Sequence, residues 1–119
     1  MTTRTTGLLT ILALTVACAT DRPVRADAVP EWLAVIIDQL EHPPVTNPPE
    51  VIARYTFHGQ VVYYVGPRCC DIPSTLYNAE GTVLCSPDGG FSGSGDGRCP
   101  DFVAGRSDEK ILWRPRSGA

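Results

Sequence analysis

The sequence predicts an α+β fold: one N-terminal helix packed on a small antiparallel sheet of four to five strands, stapled by disulfides. Three observations predict it. An apolar stripe at helical spacing lies between Pro30 and Glu41, two β-rich runs flank the turn dipeptide His58-Gly59, and four cysteines follow them. The chain has 119 residues, which makes one domain the default count. A body of that size buries a modest fraction of its chain surface and gains from covalent help.

The helix is expected over residues 30–41. Trp32, Leu33, Ile36, Ile37 and Leu40 recur on one face. Pro30 suits the first helical position, Glu31 favours the positive end of the dipole, and Pro43-Pro44 cannot continue the ladder. Residues 43–49 contain four prolines and read as a stiff connector. Next come residues 51–57 and 60–65, rich in β-branched and aromatic side chains, with His58-Gly59 as a two-residue turn. In that register Tyr55 faces Val62 and Ala53 faces Tyr64, on the same side as Val51 and Phe57. A second hairpin is expected from residues 75–77 and 82–85, and a last strand over residues 110–114, stopped by Pro115.

The N-terminal segment falls outside this fold. Arg4 followed by the apolar residues 7–17 makes the pattern of an export signal, well short of the ~20 residues that span a bilayer as a helix. The end of this run, Thr15-Val16-Ala17-Cys18, resembles the lipobox of bacterial lipoproteins, although Leu is usual where Thr15 stands. That resemblance implies cleavage before Cys18 and lipidation of its thiol. The alternative is an ordinary secretory signal cut at Ala17-Cys18-Ala19, which leads to a soluble periplasmic or secreted protein. Either route leaves an even set of four cysteines. The expected organisation is a signal peptide at 1–17, a polar tether at 18–29, and a single domain at 30–119.

The net charge is −3, from 10 basic and 13 acidic residues. Loss of Arg4 with the signal changes this to 9 − 13 = −4. The arginines are scattered and form no basic stripe, which argues against a nucleic-acid partner.

Cys69, Cys70, Cys85 and Cys99 are expected to form two structural disulfides. On an extended backbone the adjacent Cys69 and Cys70 point to opposite faces, so each is expected to reach a different partner among Cys85 and Cys99. A four-thiolate zinc site needs two spaced pairs, and Cys69-Cys70 has no spacer. A redox Cys-x-x-Cys motif is absent.

The loop from Ser86 to Asp101 is rich in glycine and aspartate. It lacks a complete nucleophile elbow, phosphate-binding loop or dinucleotide fingerprint. Asp88, Asp96 and Asp101 supply hard oxygen donors for a bound calcium ion, although their spacing is not that of an EF-hand. The competing reading is a disulfide-clamped surface loop of turn-forming Asp-Gly pairs, with Phe91 anchoring it into the core. His42 and His58 are expected at the surface, and Asp71 as a backbone cap. Nothing assembles a nucleophile, a base and an orienting group, so no catalytic residue is expected.

Several motifs occur in a characteristic order: Tyr55-x-Phe57-x-Gly59, Val62-Tyr63-Tyr64, Cys69-Cys70-Asp71, Leu76-Tyr77, Cys85-x-Pro87-Asp88-Gly89-Gly90, Gly95-Asp96-Gly97 and Cys99-Pro100-Asp101-Phe102. Over residues 31–116 the chain resembles a domain-of-unknown-function family of small bacterial exported proteins and lipoproteins. The resemblance implies export and a small disulfide domain, and it carries no assigned activity. The leading expectation is a non-enzymatic binding domain, held at the cell envelope by lipid on Cys18, with a protein or small-molecule partner. A calcium-stabilised binding domain using loop 88–101 is second, and an envelope enzyme third.

Overall fold

A computed structural model describes residues 28–42 and 45–117. The signal segment, Cys18, most of the tether and Pro43-Pro44 lie outside the described residues. The elements run α1 (Glu31–Glu41), β1 (Ile52–Phe57), β2 (Gln60–Val65), β3 (Thr75–Asn78), β4 (Val83–Cys85), α2 (Phe102–Gly105) and β5 (Ser107–Trp113). The five strands form one antiparallel sheet in the order β4-β3-β2-β1-β5. The expected α+β class, with one N-terminal helix on five strands, is the observed one.

The central hairpin has the predicted register, with Ala53 opposite Tyr64 and Tyr55 opposite Val62. His58 and Gly59 both take positive φ, at 49° and 72°, as a two-residue turn matched to strand twist requires. β5 begins at Ser107, earlier than apolar patterning indicated, because its first residues are polar and exposed. It pairs with β1 along the sheet edge, so backbone pairing continues where the hydrophobic pattern is silent. Pro30 precedes the helix instead of opening it. Its backbone is extended, and its carbonyl accepts the Leu33 and Ala34 N–H groups at 3.0 and 2.9 Å.

Alternation along β1 and β2 sends side chains to two separate cores. One face carries Ile52, Tyr63, Val65 and Trp113 and is covered by α1 through Leu33, which is fully buried. Trp32 pins the helix to β3 and its turn, packing on Tyr63 and Tyr77 and donating to the Ala79 carbonyl at 3.0 Å. At the helix end Glu41 accepts from the Trp113 indole N–H at 2.8 Å and pairs with Arg116 at 2.9 Å.

The opposite face carries Ala53, Tyr55, Phe57, Val62, Tyr64 and Leu76. It is closed by Cys99 and Phe102, the latter at the start of a four-residue helix that apolar periodicity did not reveal. Phe102 stacks on Tyr64 and meets Tyr55 and Phe57 edge-on, with centroids 5.3–5.7 Å away. The Gly/Asp loop and α2 thus form a third layer. Both faces of the sheet are covered.

Candidate functional site

The loop from Ser86 to Asp101 leaves β4 beside the connection between β2 and β3, and both belong to one end of the sheet. Their junction is Ser74, fully buried between them. The Ser74 N–H and hydroxyl donate to the Asp88 carbonyl at 3.0 Å each, and the Asp88 N–H meets Ser74 Oγ at 3.1 Å. The Tyr64 hydroxyl donates to both oxygens of the Asp88 carboxylate, at 2.8 and 3.0 Å. Burial first, and that carboxylate second, raise the Tyr64 phenol well above its ordinary value.

Past Asp88, Gly89 and Gly90 cross over Pro67 and Pro73 closely enough that a Cβ on Gly89 would sit 2.7 Å from Pro67. The turn is tied by Gly89 N–H to the Gly93 carbonyl and Gly95 N–H to the Gly89 carbonyl, both 3.1 Å. Gly95 takes φ 65°, and a Cβ there would run into the Ser86 carbonyl oxygen, so only glycine fits. Asp96 then accepts the backbone N–H groups of Ser86 and Arg98, each at 3.0 Å. These donors, Arg98 foremost, hold its carboxyl below the ordinary carboxylate range.

This construction overturns the expectation for Phe91. Instead of anchoring the loop, Phe91 stands at its tip, 95% exposed. The anchoring belongs to Asp88, Gly95 and Asp96, whose polar contacts close the loop without an apolar plug. Ile72, on the adjoining connection, is 46% exposed.

The disulfide connectivity is a second correction. The bridges are Cys69–Cys70 and Cys85–Cys99, and neither Cys69 nor Cys70 reaches across the molecule. The premise of an extended backbone fails here. Residues 69–71 form a turn closed by Arg68 N–H to the Ile72 carbonyl at 3.1 Å, and Cys70 and Asp71 take φ 78° and 71°. The flanking Pro67 and Pro73 were the sequence signal for such a turn. Cys85–Cys99, by contrast, is buried in the second core and clamps the Gly/Asp loop at its base.

The three aspartates proposed for calcium go to three different partners. Asp88 takes Tyr64, Asp96 takes the loop backbone, and Asp101 meets His58 Nε2 at 2.7 Å. Among the described residues no group of three or more His, Cys, Asp or Glu side chains is placed to hold a metal ion. His42 is exposed and lies 3.7 Å from Asp38. The His58–Asp101 pair escaped sequence reasoning because 43 residues separate its members. It edges a shallow cleft of about 280 Å³ that also contains Phe57, Leu84, Arg98 and the Cys85–Cys99 bridge.

Fold and site together define a small disulfide-bonded α+β domain with a hydrogen-bonded, aromatic-tipped loop. Residues 38–115 match the family described as Domain of unknown function (DUF6970), and the chain belongs to that family. No curated protein and no solved structure matches it.

Proposed function

We propose that this chain is an exported, lipid-anchored protein of the cell envelope whose domain acts by binding a partner protein, and that the loop end around Phe91 is its contact surface. The observation that carries this reading is the 95% exposure of Phe91 on a loop already fixed by its own hydrogen bonds. A large exposed aromatic side chain on a loop whose backbone is already tied gains its full burial on binding with little further ordering of the chain, which is how interface anchors work. Ile72 on the adjoining loop adds apolar area at the same end.

Export is supported by the apolar segment at residues 7–17 and by two disulfides, the covalent pattern of an oxidising compartment. Among the described residues no helix is long and apolar enough to cross a membrane, and the lipobox-like run that ends in Cys18 supports attachment through lipid.

The test is position-specific capture in intact cells. A photoreactive benzoyl-phenylalanine at position 91 is expected to yield one discrete protein adduct, and the same group at position 35, on the outer face of α1, none. Equal capture at both positions, or none at 91, removes the reading. Cys18→Ser is expected to move the protein from the membrane fraction to the soluble fraction.

A further inference from the structure

The two disulfides differ in what they do for the fold. Cys85–Cys99 joins residues 14 apart in sequence, is buried, and links β4 to the layer that covers one core. Cys69–Cys70 joins neighbours, so it closes no chain loop and removes almost no entropy from the unfolded chain. Cys69, Cys70, Asp71, Ile72 and Pro73 are all exposed, so both sulfurs belong to a surface turn. A covalent bond that braces no more than its own turn and faces solvent has the properties of a reactive bridge.

We propose that Cys69–Cys70 is a thiol–disulfide exchange site whose substrate is a low-molecular-weight thiol. The thiolate of the incoming thiol attacks Sγ of Cys70. A mixed disulfide forms with Cys70 as the Cys69–Cys70 bond breaks, and Cys69 leaves as a thiolate that takes a proton from water. A second thiol attacks the mixed disulfide on the sulfur of the first. Cys70 departs as a thiolate and is protonated, and the two incoming thiols leave joined as their own disulfide. Two electrons pass from two thiols to the protein, and the products are a dithiol and an oxidised small molecule.

Neighbouring structure gives the exchange a conformational readout. Cys70 carries its Cβ at φ 78°, a region uncommon for a residue other than glycine, asparagine or aspartate. Opening the bridge frees Cys70 to return to negative φ. The Arg68 N–H bond to Ile72 closes the same turn, and Asn47 Nδ2 donates to the Cys69 carbonyl at 3.1 Å, tying the proline-rich connector to it. Reduction therefore loosens the turn while the sheet and Cys85–Cys99 stay in place.

The full oxidised chain, incubated with graded ratios of reduced to oxidised glutathione, is alkylated and mapped by peptide mass. Labelling at Cys69 and Cys70 is expected at least about 100-fold faster than at Cys85 and Cys99, because exchange follows access to the sulfur. The far-UV signal is expected to stay unchanged and amide exchange at Arg68 to rise. The Cys69→Ser/Cys70→Ser double variant is expected to fold with the same far-UV signal and to consume no glutathione under these conditions. Labelling of Cys85 and Cys99 first or in step with the pair, or resistance of Cys69–Cys70 until the chain is denatured, overturns the proposal.

Discussion

Asp96 shows how one side chain organises a loop that has almost no apolar content. Its two oxygens take the N–H groups of Ser86 and Arg98, which belong to the two ends of the turn. Both bonds favour the ionised carboxylate and set its folded value below the ordinary 3.8. A depressed carboxyl contributes stability that is present above its unfolded value and is lost as pH falls through the folded one. Asp96→Asn is therefore expected to flatten the acid limb of stability below about pH 4, read by urea melts across pH. An unaltered acid limb would show that the two bonds carry no net weight. Phe91 makes a second residue-scale point. Gly90 before Phe91 and Gly93 two residues after it are compatible with a core anchor or with an exposed tip. Hydrophobicity favours burial, and only the polar closure beneath the loop reverses that preference.

The individual elements show where periodicity carries information. α1 was legible because Trp32, Leu33, Ile36, Ile37 and Leu40 all face one sheet, and the central hairpin because alternation and the His58-Gly59 turn agree. The polar half of β5 and the short α2 were not legible, since neither shows its own apolar period. The cysteine pairing misled for a related reason: facing directions were inferred for a strand, and the segment is a turn. Of the two bridges, only Cys85–Cys99 restrains a chain loop. The Cys85→Ser/Cys99→Ser variant is expected to lose about 3 kcal/mol of unfolding free energy, and the Cys69→Ser/Cys70→Ser variant a few tenths at most. Chemical denaturation of the two double variants side by side checks this, and equal losses would contradict it.

Across the whole molecule the sheet separates two cores, and the loop-side core holds two phenols with carboxylate partners. The Tyr55 hydroxyl donates to Glu109 at 2.5 Å, and that of Tyr64 donates to Asp88. Burial, then the Glu109 bond, push Tyr55 from 10.0 up to about 12, and Tyr64 is raised in the same direction. A raised folded value contributes stability that is complete below the unfolded one and disappears as pH rises through the folded one. Stability is therefore expected to decline between pH 10 and about 12, with a smaller decline in Tyr55→Phe. Thermal melts over this range check it, and an identical decline in the variant would place the effect elsewhere.

By itself the sequence determined the α+β class, the helix stripe and the central register. Each of these depends on residues close in the chain or on a repeating period. The partner of each cysteine, the exposure of Phe91, the dispersal of Asp88, Asp96 and Asp101, and the meeting of His58 with Asp101 were decided only by tertiary structure. Those outcomes depend on where a turn-rich, aperiodic loop settles against a sheet, and local patterning holds no record of that.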